Sequence, residues 1–289
     1  MGAGVRTTLL MVVLTVFFLI IGYAIGYWMG NVTLILTIAF VFAMALNIFT
    51  FWYADKWVLR IYKAKIVSEA EEPELHAIVG RLASNARLPK PRVAIVPSDK
   101  PNAFATGRNP SHAVVAVTRG AMSLLDKDQL EGVLGHEMAH VRNRDMLVNT
   151  MAAMIAGAIA YIGFIGRFSL FFGGRRDQGG SAMLLALLAM ILVPIAAMLV
   201  RLSISRTREY GADEEGATIS RKPRALASAL RSLESAARNR PMQEGNPATS
   251  HLFIVNPFRG GSLAEIFSTH PATEKRIQRL EDMAATGRF

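Results

Sequence analysis

The chain has 289 residues, of which 52% are hydrophobic and 19% are charged, and it contains no cysteine. Soluble domains carry about 25% charged residues, so this composition excludes an ordinary soluble, disordered or fibrous protein. The absence of cysteine excludes disulfides, thiol nucleophiles and cysteine-ligated metals, and the net charge of +10 is not gathered into basic blocks, so we predict no nucleic-acid partner.

The N-terminal part of the chain is apolar and carries no charge between Arg6 and Asp55. It divides at a glycine-asparagine turn into segments 7–29 and 32–54, each long enough to cross a bilayer as a helix. We expect residues 1–54 to be a retained transmembrane hairpin, because the first apolar run is too long for a signal peptide and no clear cleavage site follows it. Positive charges flank both ends of the hairpin but not its turn, which predicts that both ends are cytoplasmic.

A second pair of charge-free runs, 146–166 and 178–200, predicts another hairpin within residues 146–200. Arginines flank this hairpin but also lie in its loop, so the positive charges do not indicate a single orientation of the hairpin in the membrane. We expect both runs to span the bilayer because both are long enough. The polar blocks 55–145 and 201–289 then lie on the same, cytoplasmic side of the membrane.

The first polar block predicts a helix followed by a small sheet. An amphipathic helix is expected over residues 72–88, where two prolines end it. Short strand-like runs follow at 92–96, 102–106 and 113–118, separated by turn residues, and we expect them to form a small meander.

The second polar block is predicted to be helical, with helices over residues 203–220 and 223–239. Residues 240–262 are rich in proline, glycine and asparagine and are predicted to be a loop. A last helix is expected to start at Pro271, since proline suits the first helical position, and to run to about Ala285.

One more helix in the first block has a well-marked start. Asp126 is a candidate N-cap, and Gln129 follows it at capping-box spacing. An apolar stripe at helical spacing then predicts a buried face. Gly132 and Gly135 each cost about 1 kcal/mol inside a helix, which suggests close packing at these positions.

That helix carries the sequence His136-Glu137-Met138-Ala139-His140, which matches the pattern H-E-x-x-H. Positions i and i+4 project from one face of a helix, so the two imidazoles can hold one Zn²⁺. The glutamate next to the first histidine is placed to take a proton from a water molecule at the open coordination position. The alternative is a pair of ordinary helix histidines.

A catalytic zinc needs a third protein ligand. The candidates are the carboxylates and the other four histidines, His76, His112, His251 and His270. Glu209 stands out, because it lies nine residues after the end of the second apolar pair and His140 lies six residues before its start, and a hairpin would bring both to one surface. Asp213 lies one helical turn after Glu209 and could orient a ligand histidine. On spacing alone, both can equally be solvated carboxylates that balance nearby arginines.

These residues belong to a set of four segments: PNAFATG (101–107), HEMAHVRNRD (136–145), REYGAD (208–213) and THPATEKRI (269–277). Together with the N-terminal hairpin, they resemble the HtpX-type membrane metalloproteases, relatives of the CAAX prenyl endopeptidases, over nearly the whole chain. We therefore expect a mostly helical α+β membrane protein. Four transmembrane helices would accompany a zincin-like catalytic domain that carries a small β-sheet and is assembled from residues 55–145 and 201–289.

The resemblance implies a site with one Zn²⁺ per chain. The family's metal ligands fall on His136, His140 and Glu209, and its catalytic glutamate falls on Glu137. Its orienting aspartate falls on Asp213. The implied activity is that of a zinc endopeptidase of the cytoplasmic (inner) membrane that cuts damaged or misfolded membrane proteins, often as part of a stress response.

Two further roles are predicted for the site. His270 precedes the proline of the last motif and is a candidate oxyanion donor, although it can equally cap the final helix. The segment formed by Asn102, Ala103, Phe104 and Ala105 is the candidate edge strand that pairs with an extended substrate backbone. The side chain of Phe104 can equally belong to the core.

The sequence fits three other functions less well. An intramembrane protease is disfavoured because the motif helix is too highly charged for a lipid-facing span. A zinc transporter or sensor would need ionisable residues within its spans, and all four apolar runs lack Asp, Glu and His. A catalytically inactive scaffold is disfavoured by the presence of Glu137.

Overall fold

A computed structural model describes residues 3–152, 206–239, 254–255 and 271–289. The second predicted hairpin, apart from its first helical residues, lies outside the described residues. The same holds for His251 and His270 and for nearly all of the predicted loop 240–262.

The N-terminal hairpin consists of helices α1 (Ala3–Met29) and α2 (Val32–Ile61). Both are long and apolar enough to cross a membrane, and they are the two such helices in the described part of the chain. Gly26 allows close approach near the turn, because a Cβ there would lie 2.8 Å from the Cα of Val32. Further along, the Asn47 amide donates a hydrogen bond of 2.9 Å to the Thr15 hydroxyl across the pair.

Helix α2 extends seven residues beyond the predicted membrane segment 32–54. In this extension Val58 is buried, and Leu59 and Tyr62 pack beside it against one face of the sheet. The charged residues at the start of the extension mark a change of composition but are compatible with a continuous helix. Helix α2 therefore belongs to the N-terminal hairpin and also packs against the sheet.

Within the described residues, the sheet has four strands, in the order β1-β2-β4-β3. They are β1 (Lys65–Ile66), β2 (Arg92–Val96), β3 (Ala103–Thr106) and β4 (Val114–Thr118). The predicted meander is wrong, because β4 lies between β2 and β3 and runs parallel to β2. Strands β3 and β4 are buried along their whole length, so their sequences carry no alternation from which the strand order could be predicted.

Six further helices complete the described fold. They are α3 (Pro73–Ala86), α4 (Arg119–Leu124), α5 (Lys127–Arg142), α6 (Arg206–Ser220), α7 (Pro223–Asn239) and α8 (Thr273–Thr286). Helix α5 lies at the centre, in contact with α3, α6, α7 and β3. The last helix begins two residues after the predicted start at Pro271, with Ala272 at the N-cap position.

The start of α5 confirms the predicted capping box. The Asp126 carboxylate accepts the Gln129 N–H at 2.8 Å, and the Gln129 side chain accepts the Asp126 N–H at 3.1 Å. From Leu130 to Val141 every residue of the helix is buried. A helix that is enclosed on all sides can hold polar side chains only where they find partners. Three of the buried polar residues of α5, His136, Glu137 and His140, lie within one helical turn of one another.

Candidate active site

Three potential metal ligands converge at the centre of the fold. His136 and His140 project from α5, and Glu209 projects from the first turn of α6. The Nε2 atoms of the two histidines lie 3.9 and 3.6 Å from the two carboxylate oxygens of Glu209. All three side chains are buried.

Close packing of α5 on α6 brings Glu209 to the histidines. A Cβ on Gly216 would lie 2.6 Å from the Cα of His136, and a Cβ on Gly135 would lie 2.6 Å from the carbonyl oxygen of Gly216. The two glycines therefore let the helix backbones touch. Gly132 has the same role against Leu226 of α7, which confirms the close packing predicted for both glycines of α5.

We expect Gly216→Ala to impair the site, because the new methyl group must push α6 away from α5 and so move Glu209 from the histidines. Peptide cleavage and Zn²⁺ binding should both fall, by about tenfold or more for a displacement near 1 Å. Gly211→Ala in the same helix is the matched control, since no described atom lies within 4 Å of a Cβ at that position. Equal activity of the two variants would contradict this role of Gly216.

The Nδ1 atom of each histidine faces a carboxylate. The Nδ1 atom of His136 lies 3.0 Å from Asp213, the residue expected to orient a ligand. The Nδ1 atom of His140 lies 3.6 Å from Asp145, which the sequence analysis did not single out. A carboxylate at Nδ1 fixes the ring orientation and leaves Nε2 free to bind a metal.

Arg276 is a second residue that the sequence analysis missed, although it lies in the THPATEKRI segment. Its buried guanidinium donates two hydrogen bonds to Asp213, at 2.7 and 2.8 Å. It donates a third to the carbonyl of Ile254 at 2.8 Å, and it lies 3.9 Å from Glu209. Although burial acts to raise it, the pKa of Asp213 is below its ordinary value because of this guanidinium. Asp213 is thus held as an anion beside His136.

Glu137 is buried between α5 and the sheet. Its carboxylate accepts the backbone N–H of Ala105 in β3 at 2.9 Å. Burial raises the pKa of Glu137 above its ordinary value, although the neighbouring histidines oppose the shift. A carboxylate with a raised pKa is a better proton acceptor, as a general base requires.

The site favours positive charge at His140. Burial acts to lower the pKa of this ring, but Asp145, Glu209 and Glu137 together raise it to about 9. The same carboxylates favour a divalent cation bound at Nε2. The observed donor set, two imidazoles and one carboxylate, is a known catalytic zinc set. Ligands 2.0–2.1 Å from a tetrahedral ion lie roughly 3.4 Å apart, close to the separations found here, so the residues fit such an ion.

The candidate edge strand lies directly beside the site. Asn102 precedes β3, and its side chain accepts the N–H of Ile254 at 3.3 Å. Phe104 packs on the opposite face of the sheet, with its ring centroid 5.3 Å from that of Tyr62, so its side chain belongs to the core. The backbone of Ala105 contacts Glu137, as described above.

Two of the other candidate ligands lie elsewhere. The Nε2 atom of His76 is 3.0 Å from the carbonyl of Val67, and the Nδ1 atom of His112 is 2.8 Å from the side chain of Asn109. His251 and His270 fall outside the described residues.

A metal-binding H-E-x-x-H helix, a glutamate ligand from the next helix and a buried glutamate beside an edge strand together define a metallopeptidase. The comparisons with known proteins agree. The family model "Peptidase family M48" matches residues 69–284, and the chain belongs to this family. It is a metalloendopeptidase, as the sequence predicted.

Two relatives illustrate the similarity. The chain is 56% identical over 284 residues to a "Protease HtpX homolog" of Pyrococcus furiosus, covering 98% of this chain and 96% of the relative. It is 55% identical over 281 residues to the homologue of Salinibacter ruber, covering 96% and 97%. The resemblance to HtpX-type proteases is therefore confirmed.

A solved structure shares the fold. The crystal structure of S. mikatae Ste24p superimposes with a TM-score of 0.52 at 17% sequence identity. The match covers 96% of this chain, and the chain spans 65% of that structure. The common fold supports the arrangement of sheet and helices described above.

Proposed function

We propose that this protein is a membrane-integrated zinc endopeptidase that degrades misfolded or damaged membrane proteins from the cytoplasmic side. One observation carries the proposal: the cluster of His136, His140 and Glu209, with Glu137 beside it, belongs to a chain that begins with two apolar helices. The second of these helices continues into the packing of the sheet. A protease built in this way acts close to the bilayer.

Zinc is the proposed metal because the three ligands are two histidines and a glutamate. When bound, the ion supplies Lewis-acid polarisation of the scissile carbonyl and makes a water molecule acidic at neutral pH. His136, His140 and Glu209 would hold it through Nε2 and carboxylate oxygen atoms. Asp213 and Asp145 would hold the imidazole rings of His136 and His140 in the orientation that points Nε2 at the metal.

Glu137 would act as the general base. It lies next to His136 in α5, and its raised pKa suits it to accept a proton from the attacking water and to return that proton to the departing amine. The N–H of Ala105 would keep one carboxylate oxygen in place, so that the other faces the reaction. His270 is proposed as a donor to the developing oxyanion.

The backbone of β3 is proposed to align the substrate. Asn102 exchanges hydrogen bonds with β4, since its carbonyl accepts the N–H of Thr118 at 2.9 Å. In an antiparallel pair, every second residue of a strand forms backbone hydrogen bonds to the partner strand. After Asn102 the next such residue is Phe104, so the backbone groups of Ala103 and Ala105 point away from β4. The Ala105 N–H is donated to Glu137, so an extended substrate would pair with the backbone groups of Ala103 and the carbonyl of Ala105. Such a substrate would be recognised through its main chain, which permits loose sequence preference.

Residues 1–54 and 146–200 would form two membrane hairpins, and residues 55–145 and 201–289 would form the catalytic domain in the cytoplasm. The protein would reside in the cytoplasmic (inner) membrane and serve quality control during stress. The flanking positive charges support this orientation.

Cleavage of matched substrates by the protein in liposomes tests the proposal. One unstructured segment would be placed either next to a transmembrane helix or in a soluble carrier. We expect the membrane-tethered segment to be cut faster by on the order of tenfold, because it shares the surface with the enzyme. Removal of metal with a chelator should abolish cleavage, and Zn²⁺ should restore it.

Two outcomes would contradict the proposal. Cleavage that persists in chelator would exclude a zinc enzyme. Equal rates on the two substrates would exclude a preference for membrane proteins, even if the peptidase itself is metal-dependent.

A further inference from the structure

Asp145 lies after a sharp turn at the end of α5. Asn143 caps the helix, and Arg144 adopts a left-handed conformation with φ of +57°. Helical structure resumes at residue 145. The turn carries Asp145 back toward the helix it has just left, where its side chain is only 4% exposed and faces His140.

The two oxygens of the Asp145 carboxylate have different partners. Oδ2 lies 3.6 Å from the Nδ1 atom of His140, a contact that is electrostatic and orienting rather than a short hydrogen bond. Oδ1 accepts hydrogen bonds from the guanidinium groups of Arg6 at 2.8 Å and Arg208 at 3.1 Å. A single carboxylate therefore joins a metal ligand to two arginines.

The charges in this cluster depend on one another. The Asp145 carboxylate forms ion pairs with both Arg6 and Arg208, and its own side chain is buried. The ionised carboxylate keeps Arg6 and Arg208 together despite their like charge. In return, the two arginines restrain the carboxylate from rotating away from the imidazole ring of His140.

Arg6 links the site to the membrane hairpin. It lies in the first turns of α1, 139 residues before Asp145 in sequence, and its side chain is 27% exposed. Arg208 belongs to α6, next to the ligand Glu209. The contact between Arg6 and Asp145 thus connects the first apolar helix to the helices that carry the metal ligands.

We propose that Asp145 is a positioning residue for His140, and that Arg6 holds Asp145 in place, so that the seating of the N-terminal hairpin increases the affinity of the site for its metal. The inference rests on the proposed zinc site but not on the proposed substrates. It assigns to the hairpin a part in assembling the active site, in addition to anchoring the protein.

Zn²⁺ affinity of the full chain in detergent, measured by competition with a chromophoric chelator, tests this proposal. We expect Asp145→Asn to bind Zn²⁺ about 10–100-fold more weakly, as is usual for residues that orient a ligand. Arg6→Gln should bind it several-fold more weakly. Arg60→Gln is the matched control, because this exposed arginine of the same hairpin should have no effect.

A double variant distinguishes positioning from a general effect on the fold. If Arg6 acts through Asp145, then Arg6→Gln combined with Asp145→Asn should bind Zn²⁺ no more weakly than Asp145→Asn alone. The thermal midpoint of metal-free Arg6→Gln should match that of the unsubstituted protein. These results would support the inference.

Three results would overturn it: unchanged Zn²⁺ affinity in Arg6→Gln, multiplied losses in the double variant, or a lowered midpoint in metal-free Arg6→Gln. The readout needs no substrate. A failure of the proposed proteolysis would therefore be separate from a failure of this inference.

Discussion

Replacement of Glu137 by glutamine is expected to reduce peptide cleavage by about 10²–10⁴-fold, the usual contribution of a general base. Glutamine has the shape of glutamate and can still accept the N–H of Ala105, but it cannot take up a proton. His136, His140 and Glu209 are unchanged, so Zn²⁺ binding should persist. Initial rates on a fluorogenic peptide, together with metal content, would measure both properties.

Glu131 provides a control on the same helix. It is also a buried glutamate, but it lies away from the ligand cluster and pairs with Arg81 at 2.8 Å and Lys222 at 2.6 Å. Glu131→Gln should reduce stability and leave the activity of the folded protein intact. A large loss of activity in this variant, or full activity in Glu137→Gln, would show that the base has been assigned to the wrong residue.

Replacement of Arg276 by methionine is expected to lower the free energy of unfolding by about 3–5 kcal/mol, the usual cost of leaving a buried charge without its partner. Methionine fills much of the same volume but removes the guanidinium that pairs with Asp213 and lies near Glu209. It also leaves the carbonyl of Ile254 without its donor. Chemical denaturation in mild detergent, followed by circular dichroism, would measure the change.

Arg279, one turn later in α8, is the matched control. Its side chain is 51% exposed, pairs with Glu214 and lies over the ring of Tyr210. Exposed ion pairs contribute about 0–1 kcal/mol, so Arg279→Met should have a small effect. Equal losses of unfolding free energy in the two variants would mean that the buried ion pair between Arg276 and Asp213 stabilises the fold no more than an exposed one.

The parts of the fold that could be predicted are those encoded locally. The capping residues of α5, the spacing of His136 and His140 and the glycines of that helix all lie within a few turns of one another. Their roles follow from helix geometry alone. The strand order could not be predicted in this way, since it depends on which of several uniformly apolar strands pair across long connections.

The supporting charges could not be identified for a different reason. Asp145 and Arg276 have the same residue types as solvated surface groups, and nothing near them in sequence predicts burial. Their roles arise because α6, α8 and the N-terminal hairpin fold over them. Spacing alone leaves Glu209 ambiguous for the same reason, since its place at the site depends on the contact of Gly216 with His136, which packs its helix against α5.

The continuity of α2 has a further consequence for how cleavage sites are selected. The helix continues from the end of the predicted membrane segment at residue 54 to Ile61, a rise of roughly 10 Å at 1.5 Å per residue, and this extension packs on the sheet. In the proposed topology, the length of this helix would therefore set the distance between the membrane surface and the sheet, and with it the height of the metal site above the lipid. A segment would then be cut according to how far it emerges from the membrane, and a loop too short to reach that height would be spared.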